Sequence, residues 1–157
     1  MKNTTRTWRS YRRLESGDRR LARETAAALL GIRIGLRVGG LRRCKELLVR
    51  LAPLRTAGAS AGLPAGAMEV ARRVAAIQEA VSRHLPWQAS CLEKSLVLWW
   101  QLGRGGIAAE LRIGARKEAG RFEAHAWVES GNVVLNDSSE THMHFAPFDG
   151  AILTLGS

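Results

Sequence analysis

The chain has 157 residues, of which 46% are hydrophobic, and it carries a formal net charge of +10. This length suits one compact domain, or a small domain with a helical appendage, and the apolar fraction is enough for a globular core. The sequence contains neither an uncharged stretch of 18 residues nor a signal-peptide pattern. We therefore expect no membrane-spanning helix, and a cytoplasmic protein whose two cysteines stay reduced.

The positive charge is concentrated in the first third of the chain. Residues 1–50 contain 14 Lys and Arg against 4 Asp and Glu, whereas residues 51–157 contain 10 of each. A basic segment suits nucleic acid, an anionic membrane or an acidic protein. The segment has no recognition-helix motif, and residues 18–38 lack the Trp and Phe anchors typical of membrane-surface helices. We expect Arg19, Arg20 and Arg23 to dock an acidic partner; the alternative is a solvated helix face.

Apolar periodicity predicts two helices in this basic region. The first begins at Asp18, as N-cap, and continues to about Val38, where Gly39-Gly40 ends it. The second covers Leu41 to Ala52 and stops at Pro53. Residues 56–66 are rich in Ala, Gly and Ser and are typical of a linker. The sequence thus predicts a helical region over 1–55, the linker, and a second unit over 67–157.

The second unit has helices first and strands after them. A helix is predicted over Ala67 to Arg83, and Pro86 prevents it from continuing. Another helix is predicted from Cys91 to about Gly103. Glu129-Ser130-Gly131-Asn132 is a tight-turn signal, so the strands on either side of it should be antiparallel neighbours. Four strands are predicted: Ile107–Arg116, Arg121–Ser130, Asn132–Asp137 and Ile152–Leu155.

Three residues of this unit form the parts of a nucleophilic acyl-transfer site. Cys91 opens a helix, where free N–H groups and the helix dipole favour the thiolate. His125 lies on one strand and can take the thiol proton, and Asp137 lies on the next and can orient the imidazole through Nδ1–H. Taken alone, the cysteine could equally be a small buried hydrophobic residue, and the histidine could be a core residue whose hydrogen bonds are satisfied. The joint pattern favours a cysteine hydrolase.

The motifs around these residues resemble one family. Residues 86–137 contain Cys-Leu-Glu-Lys-Ser-Leu, Gly-Gly-Ile-Ala-Ala-Glu-Leu-Arg-Ile-Gly-Ala-Arg, Phe-Glu-Ala-His-Ala-Trp-Val-Glu and Val-Leu-Asn-Asp. They resemble the lasso-peptide leader peptidases, small members of the transglutaminase-like, papain-related superfamily, over about a third of the chain. The resemblance implies that Cys91 is the nucleophile, His125 the base and acid, and Asp137 the orienting carboxylate. It also implies three partners: a precursor peptide, a small leader-recognition protein and a cyclase.

Other residues near these motifs have two interpretations each. Gln88 precedes the nucleophile and is a candidate oxyanion donor, although papain-like enzymes have a longer spacing; otherwise it is a loop or cap residue. Trp87 and Trp127 are candidates for the walls of a substrate groove, or simple packing residues. Trp127 should share a strand face with His125. His142 and His144 are spaced like metal ligands, but no third ligand is evident, so a surface loop near the site is favoured.

These observations predict an α+β fold: a papain/transglutaminase-like core in which the nucleophile helix packs on an antiparallel sheet, after a helical N-terminal region. The expected function is a cysteine endopeptidase that removes the leader from a lasso-peptide precursor, without cofactor or metal. Two alternatives stay open. One is an acyl transferase with the same triad, and the other is a non-catalytic adaptor whose basic helices bind a partner.

Overall fold

A computed structural model of the chain describes residues 16–51, 66–118, 120–137 and 142–147. Among the described residues, three α-helices precede a four-stranded antiparallel sheet, so the fold is α+β, as predicted. No helix within these ranges is both long and apolar enough to cross a membrane. The helices are α1 (Ser16–Leu51), α2 (Ala67–Ser82) and α3 (Cys91–Arg104); the strands are β1 (Glu110–Glu118), β2 (Arg121–Ser130), β3 (Val133–Val134) and β4 (Ala146–Pro147).

Helix α1 consists of two helical segments that meet at Gly40. This glycine has φ 70° and ψ 178°, which an L-residue rarely adopts, so the predicted break at Gly39-Gly40 is confirmed. The predicted N-cap is wrong, because Asp18 lies inside the first helical turn. Its two carboxylate oxygens instead accept hydrogen bonds from Arg73 of α2, each at 2.9 Å. The pair joins the start of α1 to its neighbouring helix.

The core is shared by all three helices and the sheet. Leu29 of α1, Leu96 and Leu98 of α3, and Leu111 and Val128 of the sheet are completely buried in one cluster. Full burial of such a side chain contributes about 1.5–3 kcal/mol relative to its exposure. The basic N-terminal helix is therefore packed into the same core as the helix that begins with Cys91. The predicted linker falls almost entirely in residues 52–65, which lie outside the described ranges.

A tight hairpin joins β2 to β3, as predicted. Gly131 and Asn132 both have positive φ, 55° and 62°, which is the conformation of a two-residue type I′ turn. Ser130 pairs with Val133, and Glu129 with Val134. The predicted strand covered Asn132–Asp137, whereas β3 consists of Val133 and Val134 alone. It is shorter because Asn132 belongs to the turn and the chain bends over residues 135–137.

The other side of the sheet differs from the prediction. Strand β1 begins at Glu110, not Ile107, and pairs with β2 over its whole length. On its outer edge Gly114 and Ala115 pair with β4, a short strand that the sequence patterns did not indicate. The predicted strand Ile152–Leu155 lies outside the described residues. The sheet order is β3-β2-β1-β4.

Gly114 lies where β1 is closely packed against residues of β2 and of the segment that leads into β4. A Cβ atom there would lie 2.9 Å from Phe145 Cβ, 3.0 Å from the Ala146 carbonyl oxygen and 3.1 Å from Trp127 Cη2. Gly114 also pairs directly with His125 across the sheet. Glycine at this position lets the aromatic side chains pack against the backbone of β1, beside His125.

Gly114→Ala is expected to destabilise the protein by about 1–3 kcal/mol, because the added methyl group overpacks this contact. Gly31→Ala is the matched control: Gly31 lies within α1, and a Cβ there would meet nothing within 4 Å. It should raise the free energy of unfolding by up to about 1 kcal/mol through helix propensity. Urea unfolding of both variants measures the difference, and equal effects would contradict this packing.

Candidate active site

Cys91 is the first residue of α3, at a fully formed helix cap. The side chain of Ser90, the N-cap, accepts a hydrogen bond from the Glu93 backbone N–H at 3.2 Å. In return the Glu93 carboxylate accepts from the Ser90 backbone N–H at 2.8 Å. This reciprocal capping box fixes where the helix starts, and therefore where the Cys91 side chain leaves the backbone.

The cap leaves two amides of the first turn for other use. Ser90 and Glu93 donate to each other, whereas the N–H groups of Cys91 and Leu92 have no acceptor within the helix by their position in it. Such amides favour negative charge, including an oxyanion that forms at a carbonyl attacked by the adjacent thiol. Cys91 is partly exposed. The other thiol, Cys44, is buried in α1, and this burial raises its pKa.

His125 and Asp137 are in direct contact. The imidazole Nε2 lies 2.9 Å from Asp137 Oδ2, and the two side chains are 19% and 10% exposed. Because a carboxylate only accepts, this contact orients a ring whose Nε2 carries hydrogen. The expected pairing of His125 with Asp137 is present, but through Nε2 and not through Nδ1. The opposite nitrogen, Nδ1, is therefore the one left to exchange a proton with a thiol.

A buried hydrogen-bond network joins the three segments that carry these residues. Ser95 lies one helical turn after Cys91, and its hydroxyl donates to the carbonyl oxygen of Ala126, the residue after His125, at 2.9 Å. Asn136, the residue before Asp137, donates from Nδ2 to the Ser95 hydroxyl at 2.9 Å. Each member of this network is thus adjacent to a predicted triad residue, either in sequence or one helical turn away.

The network occupies the edge of β2 that β3 leaves open. Asn136 Oδ1 accepts from the Val128 backbone N–H at 2.8 Å, and the Val128 carbonyl accepts from the Leu135 N–H at 2.9 Å. Backbone groups two residues apart point to the same side of a strand, so the Ala126 carbonyl faces this edge as well. Helix α3 and the bend before Asp137 therefore meet at β2 beside His125.

Two aromatic rings lie close to the His125 imidazole. The Trp127 ring stacks on the His125 ring at a centroid distance of 6.1 Å, and the Phe145 ring lies 5.2 Å from it. Trp127 shares the strand face of His125, as predicted, and its Nε1 donates to Glu129 Oε1 at 2.7 Å. Because Trp127 is only 3% exposed, its contacts support the imidazole. A direct contact with substrate stays a prediction.

Trp87 and Gln88 lie in the loop that leads to the cap. Trp87 is partly buried, and the Arg33 guanidinium of α1 lies 5.5 Å from its ring centroid. Gln88 is exposed, three residues before Cys91. Their proposed contributions to a groove and to oxyanion binding stay predictions.

His142 and His144 lie in one turn of 3-10 helix, and His144 is exposed. The His142 ring packs on Trp127 at 5.9 Å, so this turn lies next to the site. Within the described ranges, no three His, Cys, Asp or Glu side chains come together as metal ligands.

The three arginines predicted to dock a partner are away from this site. Arg19, Arg20 and Arg23 are exposed in the first turns of α1, and Arg20 pairs with Glu24 one turn later at 2.8 Å. Exposed pairs of this kind contribute little to stability. The side chains are thus accessible to a partner.

Sequence patterns did not indicate the residues that hold the site together. Ser95 lies within the Cys-Leu-Glu-Lys-Ser-Leu motif, and its spacing of four from Cys91 was the available signal for a shared helix face. Glu93 follows Ser90 by three residues, which is the capping-box spacing. Asn136 gave no signal of its own, because its partners become neighbours only when α3 meets β2.

Asp137→Ala and Asn136→Ala should have different effects. Loss of the Asp137 carboxylate leaves His125 without its orienting partner, and kcat for peptide cleavage should fall by about 10³- to 10⁴-fold with a small change in stability. Loss of the Asn136 amide leaves the Val128 N–H buried without its acceptor and should cost about 1–3 kcal/mol in unfolding free energy. Kinetics and thermal unfolding of both variants separate the two. The reverse assignment of activity and stability would contradict it.

The comparison with protein families agrees with the observed fold. Residues 26–148 match the model of the transglutaminase-like superfamily, which includes most of α1, α2, α3 and the whole sheet. Searches of the curated proteins and of the solved structures gave no significant match. Domains of this superfamily typically use Cys, His and Asp for cysteine protease or acyltransferase chemistry. Since the match extends over well more than half of its length, the chain belongs to the transglutaminase-like superfamily.

Proposed function

We propose that this chain is a cysteine endopeptidase that removes the leader from a ribosomally made lasso-peptide precursor. In this proposal it acts with a separate leader-recognition protein and supplies the freed core peptide to a cyclase, in the cytoplasm. The observation that carries the chemistry is the 2.9 Å contact between His125 Nε2 and Asp137 Oδ2, joined through the Ser95 network to a helix that begins at Cys91. The choice of substrate depends on the motif resemblance over residues 86–137.

Acylation begins with proton transfer from the Cys91 thiol to His125 Nδ1. The thiolate sulfur attacks the carbonyl carbon of the last leader residue, and the carbonyl oxygen becomes an oxyanion. The Cys91 and Leu92 N–H groups are the donors available to it, and Gln88 is a further candidate. When the C–N bond breaks, His125 returns its proton to the departing nitrogen. The core peptide leaves with a free amino terminus, and the leader stays on the sulfur as a thioester.

Deacylation uses the same groups in reverse. His125 takes a proton from water, whose oxygen attacks the thioester carbonyl, and the C–S bond breaks. The sulfur recovers a proton, and the leader departs with a free carboxylate. Throughout these steps Asp137 holds the ring orientation through Nε2 and stabilises the imidazolium.

Two other functions use features of the same chain. An acyl transferase would pass the leader from sulfur to an amine, which the superfamily chemistry also permits. A non-catalytic adaptor would use only the basic surface of α1. The contact between His125 and Asp137 is a specific reason to favour an enzyme, because an adaptor has no need of an oriented imidazole beside a capped cysteine helix.

Cleavage of the precursor in H₂¹⁸O separates these three functions. The peptidase should release a leader that carries one ¹⁸O in its terminal carboxylate, whereas transfer to an added amine would give an unlabelled amide. Cys91→Ala should abolish release, and Cys44→Ala should retain it, since Cys44 is buried in α1. Mass spectrometry of both products provides the measurement. Continued cleavage by Cys91→Ala would contradict the assignment of the nucleophile.

The partner surface that we propose is the exposed, basic start of α1. Asp18 is held by Arg73, and Glu24 by Arg20, so the acidic groups of these turns are already paired. Arg19 and Arg23 are also exposed, and the contacts of Asp18 and Glu24 just described are with other arginines. Such a surface attracts an acidic leader or recognition protein, and the attraction weakens as salt increases.

Reversal of Arg19, Arg20 and Arg23 to Glu should weaken binding of the recognition protein or of its complex with leader. Slow cleavage of a short unguided peptide should be unchanged, because the three residues are remote from the triad. Calorimetry at increasing salt measures the affinity, and mass spectrometry measures cleavage.

The control reverses the same number of exposed cations outside α1, namely Arg72, Lys117 and Arg121. It should bind the partner about as well as the unmodified chain does. Equal affinity of the first triple variant and the unmodified chain, with no dependence on salt, would show that these arginines are a solvated face.

A further inference from the structure

Arg33 is the residue of the basic helix that contacts the cap of the nucleophile helix. Its Nη1 lies 3.4 Å from Glu93 Oε1, sixty residues away in sequence. The Arg33 side chain is 25% exposed and that of Glu93 only 9%. This arginine is thus unlike its exposed neighbours on α1, because it lies on the flank of the helix that faces α3.

The two oxygens of the Glu93 carboxylate have different partners. Oε2 accepts from the Ser90 backbone N–H at 2.8 Å and closes the cap, while Oε1 faces Arg33. A buried carboxylate is costly unless it is paired and hydrogen bonded. Arg33 supplies a positive charge for the Glu93 carboxylate. The capping box has no such charge, since its donors, the Ser90 and Glu93 backbone N–H groups, are neutral.

The same guanidinium lies over the loop that leads into the cap. Its carbon is 5.5 Å from the ring centroid of Trp87, which is within the range of a cation–π contact. Trp87 precedes Cys91 by four residues. One side chain of α1 therefore contacts both the approach to the nucleophile helix and the carboxylate that closes its first turn.

We propose that Arg33 is a positioning residue that holds Cys91 through Glu93 and Trp87. The inference depends on the proposed function in one respect, namely that Cys91 is the nucleophile. Arg33 touches neither the thiol nor the imidazole. It fixes the cap, so that the thiol and the first-turn amides keep one orientation toward His125. Small displacements of a nucleophile cost about 10²-fold in rate.

Arg33→Met tests this proposal, because methionine retains a long apolar stem and removes the guanidinium. We expect kcat for peptide cleavage to fall by about 10- to 100-fold with KM nearly unchanged. Alkylation of Cys91 by iodoacetamide, followed by peptide mass spectrometry, should slow as well. Alkylation needs no peptide substrate, so it reports on the position of the thiol even if the chain does not cleave a precursor.

A double-mutant cycle identifies the route through Glu93. Glu93→Gln keeps an oxygen for the Ser90 N–H but removes the charge that faces Arg33. In the Glu93→Gln background, Arg33→Met should slow alkylation by a clearly smaller factor than in the unmodified chain, because the contact with the Glu93 charge is already gone and only the contact with Trp87 is still lost. Arg33→Lys should restore part of the rate, since it returns a cation without the planar fork. The Lys variant decides the question if Arg33→Met does not fold.

Arg37→Met is the matched control. Arg37 lies one turn further along α1, is exposed, and loses the same charge. Its alkylation and cleavage rates should stay within about twofold of those of the unmodified chain, as expected for a surface substitution. Unmodified rates in a folded Arg33→Met or Arg33→Lys protein would overturn the proposal. So would an Arg33→Met effect of the same size with and without the Glu93 charge.

Discussion

The hydroxyl group of Ser95 is the contact on which the candidate site depends. It donates to the Ala126 carbonyl and accepts from the Asn136 amide, both at 2.9 Å, in a completely buried position. Each of these groups would cost free energy if it were buried without a partner, so the three segments are held in one relative arrangement. That arrangement brings the helix of Cys91 to the strand of His125 and to the bend before Asp137. The relative placement of the segments that carry the three predicted site residues is thus a consequence of packing between α3 and the open edge of β2.

A second constraint comes from α1. Its apolar side belongs to the common core, and its Arg33 faces the Glu93 carboxylate of the cap before Cys91. The basic helix is therefore part of the fold that positions Cys91, and only its outer surface is exposed. The family match, which begins at residue 26, includes most of this helix with the triad motifs. The basic segment and the predicted site residues, which are separate in the sequence, therefore belong to one structural unit.

The sequence predicted the features that local patterns encode. Glycine at position 40 broke the first helix, and Gly131 with Asn132 formed the hairpin, because both depend on positive φ at a few residues. The pairing of His125 with Asp137 also followed from motif spacing. The ring nitrogen that faces Asp137 was predicted wrongly, since it depends on side-chain rotation. Strand β4 and the Ser95 network were missed because their hydrogen bonds join distant segments, which no local period reports.

The most direct test of the account is the crystal structure of the chain after reaction with a peptide aldehyde that ends in the last leader residue of the proposed precursor. An aldehyde reacts with a nucleophilic thiol to give a thiohemiacetal, whose oxygen occupies the position of the oxyanion. We predict a bond to Cys91 Sγ, with this oxygen within hydrogen-bond distance of the Cys91 or Leu92 N–H and His125 Nδ1 beside the sulfur. An unmodified Cys91, or an adduct whose sulfur is remote from His125, would contradict the account.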